Sequence, residues 1–442
     1  MQPTPKKELS LLDSTCLIVG IIVGVGIYQM APDIAKGTAS AWGVLGLWLA
    51  GGVLSLCGAL GYAELASAWP REGGDYVYLT RAYGRWAGFL FGWIQLFIVR
   101  PGDIAVMAFA FATYGAALYD PLPAAERSVT LRLYACAAVA ALTAINILGV
   151  KAGKWAQNVL AIVKALGLLA IVGVAVLGGR RGDPVAEAFG PLPWSLALIF
   201  VLFTFGGWNE MAYVAAEVRN PSRNIVRALV LGTAAVTALY LLVNGAFLYT
   251  LGYGGLAASK AVAADSIATV FPEVGGRLIS ALVCVSALGA VNGLVFTGAR
   301  ISYAVGAEHR AFRVVGRWHP RTGTPVRALL LQGGIAVTLI VVLGSFIGAI
   351  LYTAAPVYLF YLATSLAVVV LRRKEPGVER PYRVTAYPLP IIVFSAVCAF
   401  LIYSAVDYKP WVAAGAGAIL LLGLPIYWLT SRRRDAAQEG GP

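Results

Sequence analysis

The sequence predicts an all-α membrane protein with twelve transmembrane helices. The chain has 442 residues, of which 59% are hydrophobic and only 12% are charged, whereas a soluble chain typically carries about 25% charged residues. The apolar residues form long blocks, such as 41–68 and 280–303, each broken by a single charge. A stretch of about 20 apolar residues crosses the hydrocarbon layer of a bilayer, and many blocks exceed that length.

Apolar blocks and the breakers between them place the spans. The twelve predicted spans lie near 11–35, 42–68, 85–118, 130–150, 155–178, 193–218, 225–252, 274–304, 325–345, 348–371, 384–405 and 411–430. They form a single transmembrane domain, in which 1–178 is a first five-helix repeat, 193–371 is a second, inverted repeat and 384–430 supplies helices 11 and 12. The polar tail, 431–442, is predicted to be disordered.

The positions of the basic residues predict the topology. With the N-terminus in the cytoplasm, 24 of the 34 Lys and Arg residues fall in cytoplasmic segments and 8 in external ones, while Arg100 and Lys164 lie inside spans. Cytoplasmic loops of membrane proteins carry such an excess, so both termini are predicted to be cytoplasmic, which is consistent with an even number of spans. This topology accounts for the net charge of +13 without a nucleic-acid partner.

Two spans are interrupted by glycines. Span 1 reads IVGIIVGVGIY (18–28), and span 6 reads FTFGGWNE (203–210) and also contains Glu217. Glycine weakens a helix interior by about 1 kcal/mol per residue, and a carboxylate is costly at membrane depth. Both helices are therefore predicted to be broken where they line a cavity. Span 6 follows span 1 by five helices, which is the spacing expected for a binding site between two inverted five-helix repeats.

A broken helix offers main-chain atoms for binding. The freed amides form a positive end and the freed carbonyls a negative end. A free α-amino acid carries one carboxylate and one ammonium group on a single carbon, so two adjacent breaks can bind its backbone. Gly24 and Gly26 would permit the unusual dihedral angles and the close approach. This chemistry favours an amino acid as the small-molecule substrate.

Six collinear motifs resemble one family of transporters. Besides the glycine motif of span 1, they are YAELASAWPREGGDYVYLTRAYG (62–84), VRPGDIAVMAFAFATY (99–114), WAQNVLAIVKALGL (155–168), FTFGGWNEMAYVAAEVRNPSRNIVRA (203–228) and SKAVAADSIA (259–268). Over nearly its whole length the chain resembles the amino acid–polyamine–organocation (APC) superfamily, and within it the L-type amino acid transporter branch. The resemblance implies a LeuT-like 5+5 inverted-repeat fold with helices 1 and 6 broken and two further C-terminal helices.

The resemblance also implies a substrate site. The substrate carboxylate would meet main-chain amides around Val25, Gly26 and Ile27, and its ammonium group would meet carbonyls of spans 1 and 6. The residues implied are Ile21, Ile22, Gly24, Val25, Gly26, Ile27, Phe203, Thr204, Phe205, Gly206, Gly207, Trp208, Asn209 and Tyr240. Phe203 would cap the pocket from outside, and Trp208 is expected to help line the cavity.

Lys164 matches a span-5 lysine of that family, which occupies the place of sodium in related folds. Its depth follows from the sequence alone, because it lies nine residues beyond Trp155 and so about 14 Å into the bilayer. An intramembrane lysine costs at least ~2.5 kcal/mol unless it is paired or faces water. Lys164 is expected either to take part in coupling and conformational control or to serve as a structural cation that fastens helix ends.

Two residues depart from the family pattern. Val25 stands where the family normally has serine, which removes a hydroxyl group near the carboxylate but leaves the main-chain amides. Glu210 stands where the family often has an uncharged residue. Facing the cavity, Glu210 would favour a cationic substrate or carry a proton; facing neighbouring helices, it would pair with a donor.

In span 3, Arg100 and Asp103 flank a Pro-Gly pair and are expected to stabilise a kink as a pair rather than contact substrate.

The leading interpretation is therefore a secondary active transporter that exchanges neutral L-amino acids by alternating access without sodium. The alternative keeps the fold and is a proton-coupled symporter or an exchanger of cationic amino acids or polyamines. An enzyme is not expected, because the sequence contains no HExxH or GxSxG motif. A channel would need a repeated pore-lining motif or a charge ring, which is not visible either.

No cofactor, metal or obligatory protein partner is expected from the sequence. The five cysteines lie singly in apolar blocks, which is typical of small buried hydrophobic residues rather than of disulfides or metal sites. The first ten residues are polar, and no cleavage site follows the first apolar run, so the N-terminus is expected to be retained. The lipid bilayer is the expected environment, and the Ala/Gly-rich composition suggests a prokaryotic plasma membrane.

Overall fold

The structure is a computed structural model that describes residues 7–71, 73–123, 126–178, 192–259, 261–273, 275–309, 312–343, 346–408 and 410–438. Within these ranges the chain is helical, and its only β-structure is two isolated bridges. The α-helices are α1 (Leu11–Ile22), α2 (Gly26–Gln29), α3 (Ala31–Lys36), α4 (Ala41–Ala68), α5 (Asp75–Tyr83), α6 (Arg85–Ile94), α7 (Arg100–Leu118), α8 (Arg127–Ile147), α9 (Val150–Gly178), α10 (Trp194–Thr204), α11 (Pro221–Ala258), α12 (Val262–Ala268), α13 (Gly275–Glu308), α14 (Val326–Leu343), α15 (Phe346–Lys374), α16 (Leu389–Tyr408) and α17 (Pro410–Gln438).

Ten helical segments in the described ranges are long and apolar enough to cross a membrane. They correspond to ten of the twelve predicted spans. Two shorter apolar stretches, Val326–Val341 and Gly417–Leu429, lie in predicted spans 9 and 12. An all-helical membrane protein is thereby confirmed, whereas the count of twelve spans stays a prediction. Residues 344–345, at the end of predicted span 9, lie outside the described ranges.

The predicted break in span 1 is confirmed. A capping box at Ser10 and Asp13 starts α1, since each side chain accepts a hydrogen bond from the other residue's amide, which satisfies amides that the helix start leaves free. The helix ends at Ile22, and a new helix, α2, starts only at Gly26. Between them, the Val23 amide still donates to the Val19 carbonyl at 2.9 Å, whereas the Gly24 amide donates to the Ile22 carbonyl and so leaves the helical pattern.

The predicted break in span 6 is confirmed as well. Helix α10 ends at Thr204, and a tighter 3₁₀ segment runs over Trp208–Glu217. Gly207 lies between them with φ of +104°, a backbone conformation that favours glycine. A Cβ atom on Gly207 would lie 2.6 Å from the side chain of Ile21, so the two breaks approach each other closely at this glycine.

Span 3 is one long helix with a local change of winding. Between α6 and α7, residues Gln95–Val99 form a π-helical turn. Pro101 stands in the first turn of α7, where it has no amide hydrogen to donate to the preceding turn. Such π turns are often found at functional sites, and this one lies beside the cavity described below.

The broken segments lie at the centre of the helix bundle. Helix α1 packs against α9, α11 and α13, and the 3₁₀ segment packs against α1, α4, α11 and α13. Helix α7 packs along α13 and also contacts α15. The interrupted helices are thus enclosed by continuous ones, which can supply hydrogen-bonding side chains to the freed main-chain groups.

The predicted disorder of the C-terminal tail stays a prediction. Helix α17 is described as far as Gln438, and residues 439–442 lie outside the described residues. Residues 179–191, between the two predicted repeats, also lie outside the described ranges.

Candidate functional site

A cavity of about 230 Å³ lies between the two broken helices. This volume is smaller than the roughly 300–1,000 Å³ of sites for drug-sized ligands, so it suits a small molecule. The residues from the two breaks that line it are Ile21, Ile22, Gly24, Gly26, Phe203, Thr204, Gly206, Gly207, Asn209 and Glu210. The remaining walls come from span 3, α15 and α10, with smaller contributions from Met30, α13 and α16.

The start of α2 presents free amides beside this cavity. Within the described part of the chain, the main-chain amides of Val25, Gly26 and Ile27 donate no hydrogen bond to protein atoms. A Cβ atom on Gly26 would lie 2.8 Å from the Thr204 hydroxyl oxygen. Glycine at this position therefore allows the start of α2 to lie directly against span 6. Freed amides at a helix start form a site for an anionic group.

The end of α1 is held by a buried ammonium group. The Lys164 Nζ atom donates to the carbonyls of Gly20 (2.6 Å), Val23 (2.7 Å) and Ser286 (3.0 Å). The Ser286 hydroxyl lies 2.9 Å from the carbonyl oxygen of Val23 and 3.1 Å from that of Gly24. Lys164 is fully buried and does not line the cavity, so it acts on the break from behind.

A tyrosine of α11 joins the two breaks. The Tyr240 hydroxyl oxygen lies 2.9 Å from the carbonyl oxygen of Ile22 and 3.2 Å from that of Thr204. The Ile22 carbonyl also accepts from the Gly24 amide at 2.7 Å. By contrast, the carbonyl of Ile21 accepts no hydrogen bond from the described residues. Of the two span-1 carbonyls predicted to meet an ammonium group, Ile21 is therefore the one without a protein donor.

Glu210 is paired across the cavity wall. One carboxylate oxygen of Glu210 lies 2.6 Å from a guanidinium nitrogen of Arg100, with both side chains about 5% exposed or less. Arg100 also donates to Gln95 at 3.1 Å and lies over the ring of Tyr213. Of the two alternatives for Glu210, the structure shows pairing with a donor, although both partners also line the cavity.

The prediction of an Arg100–Asp103 pair is wrong. The guanidinium group of Arg100 reaches across to the 3₁₀ segment and forms its ion pair with Glu210 instead. Asp103 lines the cavity, and its carboxylate makes no hydrogen bond or salt bridge with any residue that the structure describes. The sequence separation of three residues placed both groups on the same helix, but it did not reveal this partner on span 6.

Asn209 lies in the cavity wall and takes part in a buried hydrogen-bond network. Its amide nitrogen donates to the Tyr213 hydroxyl at 2.9 Å, and the Tyr361 hydroxyl donates to its side-chain oxygen at 3.0 Å. The Tyr213 hydroxyl in turn donates to Asp75 at 2.5 Å. Asp75 also accepts hydrogen bonds from the hydroxyl groups of Tyr62 and Thr364. This buried network ties α4 and α5 to the 3₁₀ segment of span 6 and to α15.

Several residues predicted for the site do not line the cavity. They are Val25, Ile27, Phe205, Trp208, Tyr240 and Lys164. The prediction that Trp208 helps line the cavity is wrong, because its ring packs against Tyr62, Tyr361 and Phe394 instead. Val25 is likewise buried and is not among the residues that line the cavity.

The sequence analysis missed two walls of the cavity. Span 3 contributes Gln95, Val99, Arg100, Asp103, Val106 and Met107, and α15 contributes Thr353, Ala355, Val357, Tyr358, Phe360 and Tyr361. The span-3 positions recur at intervals of three and four residues, which is the spacing of one helix face. That spacing, together with two charges inside a membrane span, was the available signal. Helix α15 offered none of comparable strength.

At the end of the bundle that carries the N-terminus, hydrogen bonds and an ion pair fasten the chain to neighbouring segments. The Leu9 amide donates to the Glu217 carbonyl at 2.9 Å, and the Arg219 amide donates to the Leu9 carbonyl at 2.8 Å. The Glu217 side chain forms an ion pair with Arg300 at 2.6 Å, with both side chains fully buried. The chain entering α1 is thus fastened to the end of span 6 on this side.

Comparison with known proteins identifies the family. The family described as "Amino acid permease" matches residues 9–423. The chain is 32% identical to the b(0,+)-type amino acid transporter 1 of Mus musculus over 434 residues, covering 96% of this chain and 88% of the relative. It is 31% identical to the serine/threonine exchanger SteT of Bacillus subtilis (strain 168) over 441 residues, covering 97% and 98%. It is 32% identical to the large neutral amino acids transporter small subunit 2 of Rattus norvegicus over 435 residues, covering 96% and 80%.

Proposed function

Because the chain belongs to the amino acid permease family, we propose that this amino acid transporter exchanges neutral L-amino acids by alternating access and without sodium. The observation that carries this proposal is the cavity that lies between the two broken helices. It is lined by Gly26, whose amide makes no hydrogen bond with the described residues, and by Ile21, whose carbonyl accepts none from them. These are the two opposite partial charges that the backbone of an amino acid zwitterion requires.

In this proposal the substrate backbone is bound mainly by main-chain groups. The carboxylate binds the amides of Val25, Gly26 and Ile27, and the ammonium group binds the carbonyl of Ile21. The side chain of the substrate then extends into the space between span 3, span 6 and α15. Main-chain recognition of the backbone tolerates different side chains, which agrees with the different substrates named for the relatives.

Independence from sodium is supported by the position of Lys164. Its ammonium group already satisfies carbonyls at the end of α1 and one carbonyl of α13. Sodium binding at the end of α1 is unfavourable, because the ammonium group of Lys164 already occupies this position and like charges repel at close range. We propose that Lys164 takes the place of the coupling ion.

The proposed architecture completes the membrane topology. We propose twelve spans in a 5+5 inverted repeat, with repeats 1–178 and 193–371, two further C-terminal helices and both termini in the cytoplasm of a prokaryotic cell. The end of the bundle at which Leu9 is hydrogen-bonded to Glu217 and Arg219 would then face the cytoplasm. One relative is named a small subunit, but the proposed mechanism uses only residues of this chain and requires no protein partner.

The alternative is transport of cationic amino acids or polyamines. Its support was the carboxylate of Glu210, which would attract a cation only if it had no partner. The charge of Glu210 is offset by Arg100 at 2.6 Å, so this carboxylate is already partnered. A polyamine would also leave the amides of α2 unused because it has no carboxylate.

The test is uptake of labelled leucine, alanine and arginine into proteoliposomes, either preloaded with amino acid or empty, with and without sodium or a pH gradient. We expect uptake only into preloaded vesicles and no effect of sodium. Accumulation in empty vesicles that depends on a proton gradient would replace exchange with proton symport. If unlabelled amino acids with an intact carboxylate do not compete with uptake, while amines inhibit it, the result would point to polyamines as substrates.

A further inference from the structure

We propose that Asp75 is a positioning residue of the transport site: its carboxylate fixes, through Tyr213, the orientation of the Asn209 side-chain amide in the cavity wall. This inference rests on the proposed function, because it takes Asn209 to contact the substrate in the cavity. Asp75 itself is fully buried at the start of α5 and does not line the cavity. It can therefore act on a substrate only through other residues.

The first argument is the position of the carboxylate. The turn before α5 packs directly on the 3₁₀ segment of span 6, since the Gly73 amide donates to the Tyr213 carbonyl at 3.3 Å. A Cβ atom on Gly74 would lie 2.6 Å from the ring of Tyr213, so there is no gap between the turn and this ring. The contacts hold the start of α5 where the Tyr213 hydroxyl reaches Oδ2 of Asp75 at 2.5 Å.

The second argument is the direction of the hydrogen bonds. An ionised carboxylate can only accept hydrogen bonds, and accepting several of them stabilises its charged form. The hydroxyl groups of Tyr62 and Thr364 donate to Oδ1 of Asp75, and the hydroxyl of Tyr213 donates to Oδ2. The single hydrogen of the Tyr213 hydroxyl is thereby committed to Asp75. Its oxygen can only accept from the next group in the chain.

The third argument is the consequence for Asn209. A carboxamide has a donating nitrogen and an accepting oxygen, and a half-turn of the group exchanges their places. Because the Tyr213 oxygen accepts, the Asn209 nitrogen faces it, at 2.9 Å. The Asn209 oxygen then faces the Tyr361 hydroxyl, which donates to it at 3.0 Å. The charge of Asp75 thus determines which end of the amide faces each tyrosine, and where its remaining N–H group points.

The test is Asp75→Asn. Two hydroxyl groups donate to Oδ1 and one to Oδ2, so the oxygen of the new amide should take the Oδ1 side and its nitrogen should face Tyr213. The Tyr213 hydroxyl would then accept from this nitrogen and donate to Asn209, whose amide would turn over. We expect the half-saturation concentration for leucine exchange in proteoliposomes to rise about threefold to tenfold, as for one lost neutral hydrogen bond. The maximal rate per folded protein should change less.

Two further variants separate positioning from a general loss of packing. Thr364→Val removes a donor to the same carboxylate, but Thr364 lies off the chain to Asn209 and does not line the cavity. This control is expected to leave the half-saturation concentration unchanged. Tyr213→Phe cuts the chain, so adding Asp75→Asn to it should cause no further rise. Full additivity, or equal half-saturation concentrations for Asp75→Asn and Thr364→Val, would overturn the inference.

A second measurement does not depend on transport. Asn209→Asp sets two carboxylates against the single hydrogen of the Tyr213 hydroxyl and is expected to lower the melting temperature of the purified protein. When Asp75→Asn is added, Tyr213 can donate to the carboxylate at position 209, so the double variant should melt at a higher temperature than Asn209→Asp alone. If leucine is not exchanged, the proposed function fails and this comparison decides the inference. Recovery in the double variant would support it, and no recovery would overturn it.

Discussion

At the scale of single residues, Lys164 shows how a side chain behind a site can shape it. The ammonium group reaches three carbonyl oxygens, two on span 1 and one on α13. Since a buried lysine is stable only when its charge is compensated, these carbonyls and the lysine depend on each other. The lysine keeps the break open by satisfying carbonyls that the interrupted helix leaves without amide partners.

Replacing Lys164 by Met, which has a similar shape but no donor, is expected to lower both stability and transport. It leaves buried carbonyls without their donor, and each such group costs roughly 1–3 kcal/mol. The measurements are the melting temperature of the purified protein and leucine exchange in proteoliposomes. Unchanged stability with lost exchange would favour coupling over the purely structural alternative. A variant that matches the unmodified protein in both measurements would contradict the account of this residue.

At the scale of elements, the break in span 6 depends on one glycine. Gly207 has φ of +104°, and an added Cβ atom would meet Ile21 at 2.6 Å. For Gly207→Ala we expect the free energy of unfolding to fall by about 1–3 kcal/mol because of backbone strain. The exchange rate should fall by more than this loss of stability explains, because the two breaks are pushed apart. Gly245→Ala on α11 is the matched control, since its Cβ atom would meet no atom within 4 Å. Equal melting temperatures and exchange rates for the two variants would refute the requirement for glycine.

How far the sequence predicts the structure also depends on elements. The breaks at Gly24 and Gly207 were predictable, because glycines and a carboxylate in a membrane span contradict an unbroken helix. The orientation of Trp208 and the partner of Arg100 were not. In a helix with apolar residues on all sides, hydrophobic periodicity does not tell which face points inward. Contacts between span 3 and span 6 join residues more than 100 positions apart, and local patterns contain no information about them.

At the scale of the whole molecule, an ion pair and main-chain hydrogen bonds join segments of the bundle at the end that carries the N-terminus. The fully buried pair of Glu217 and Arg300 joins the end of span 6 to α13, and Arg300 also lies over the ring of Phe296. Leu9 adds main-chain hydrogen bonds on the same side. In the proposed alternating access, these contacts separate when the cavity opens toward this end, so the pair stabilises one state of the cycle more than the other.

The final prediction concerns this pair. Glu217→Met and Arg300→Met each leave one buried charge without its partner, and each is expected to destabilise the protein by about 3–5 kcal/mol. In the double variant no charge remains, so much of the melting temperature should be recovered. Leucine exchange should nevertheless stay impaired, because the closed state has lost its ion pair and is populated less. If the two single effects simply add in the double variant, the residues do not act as a pair. If the double variant regains full exchange, the pair stabilises the fold without biasing the transport cycle.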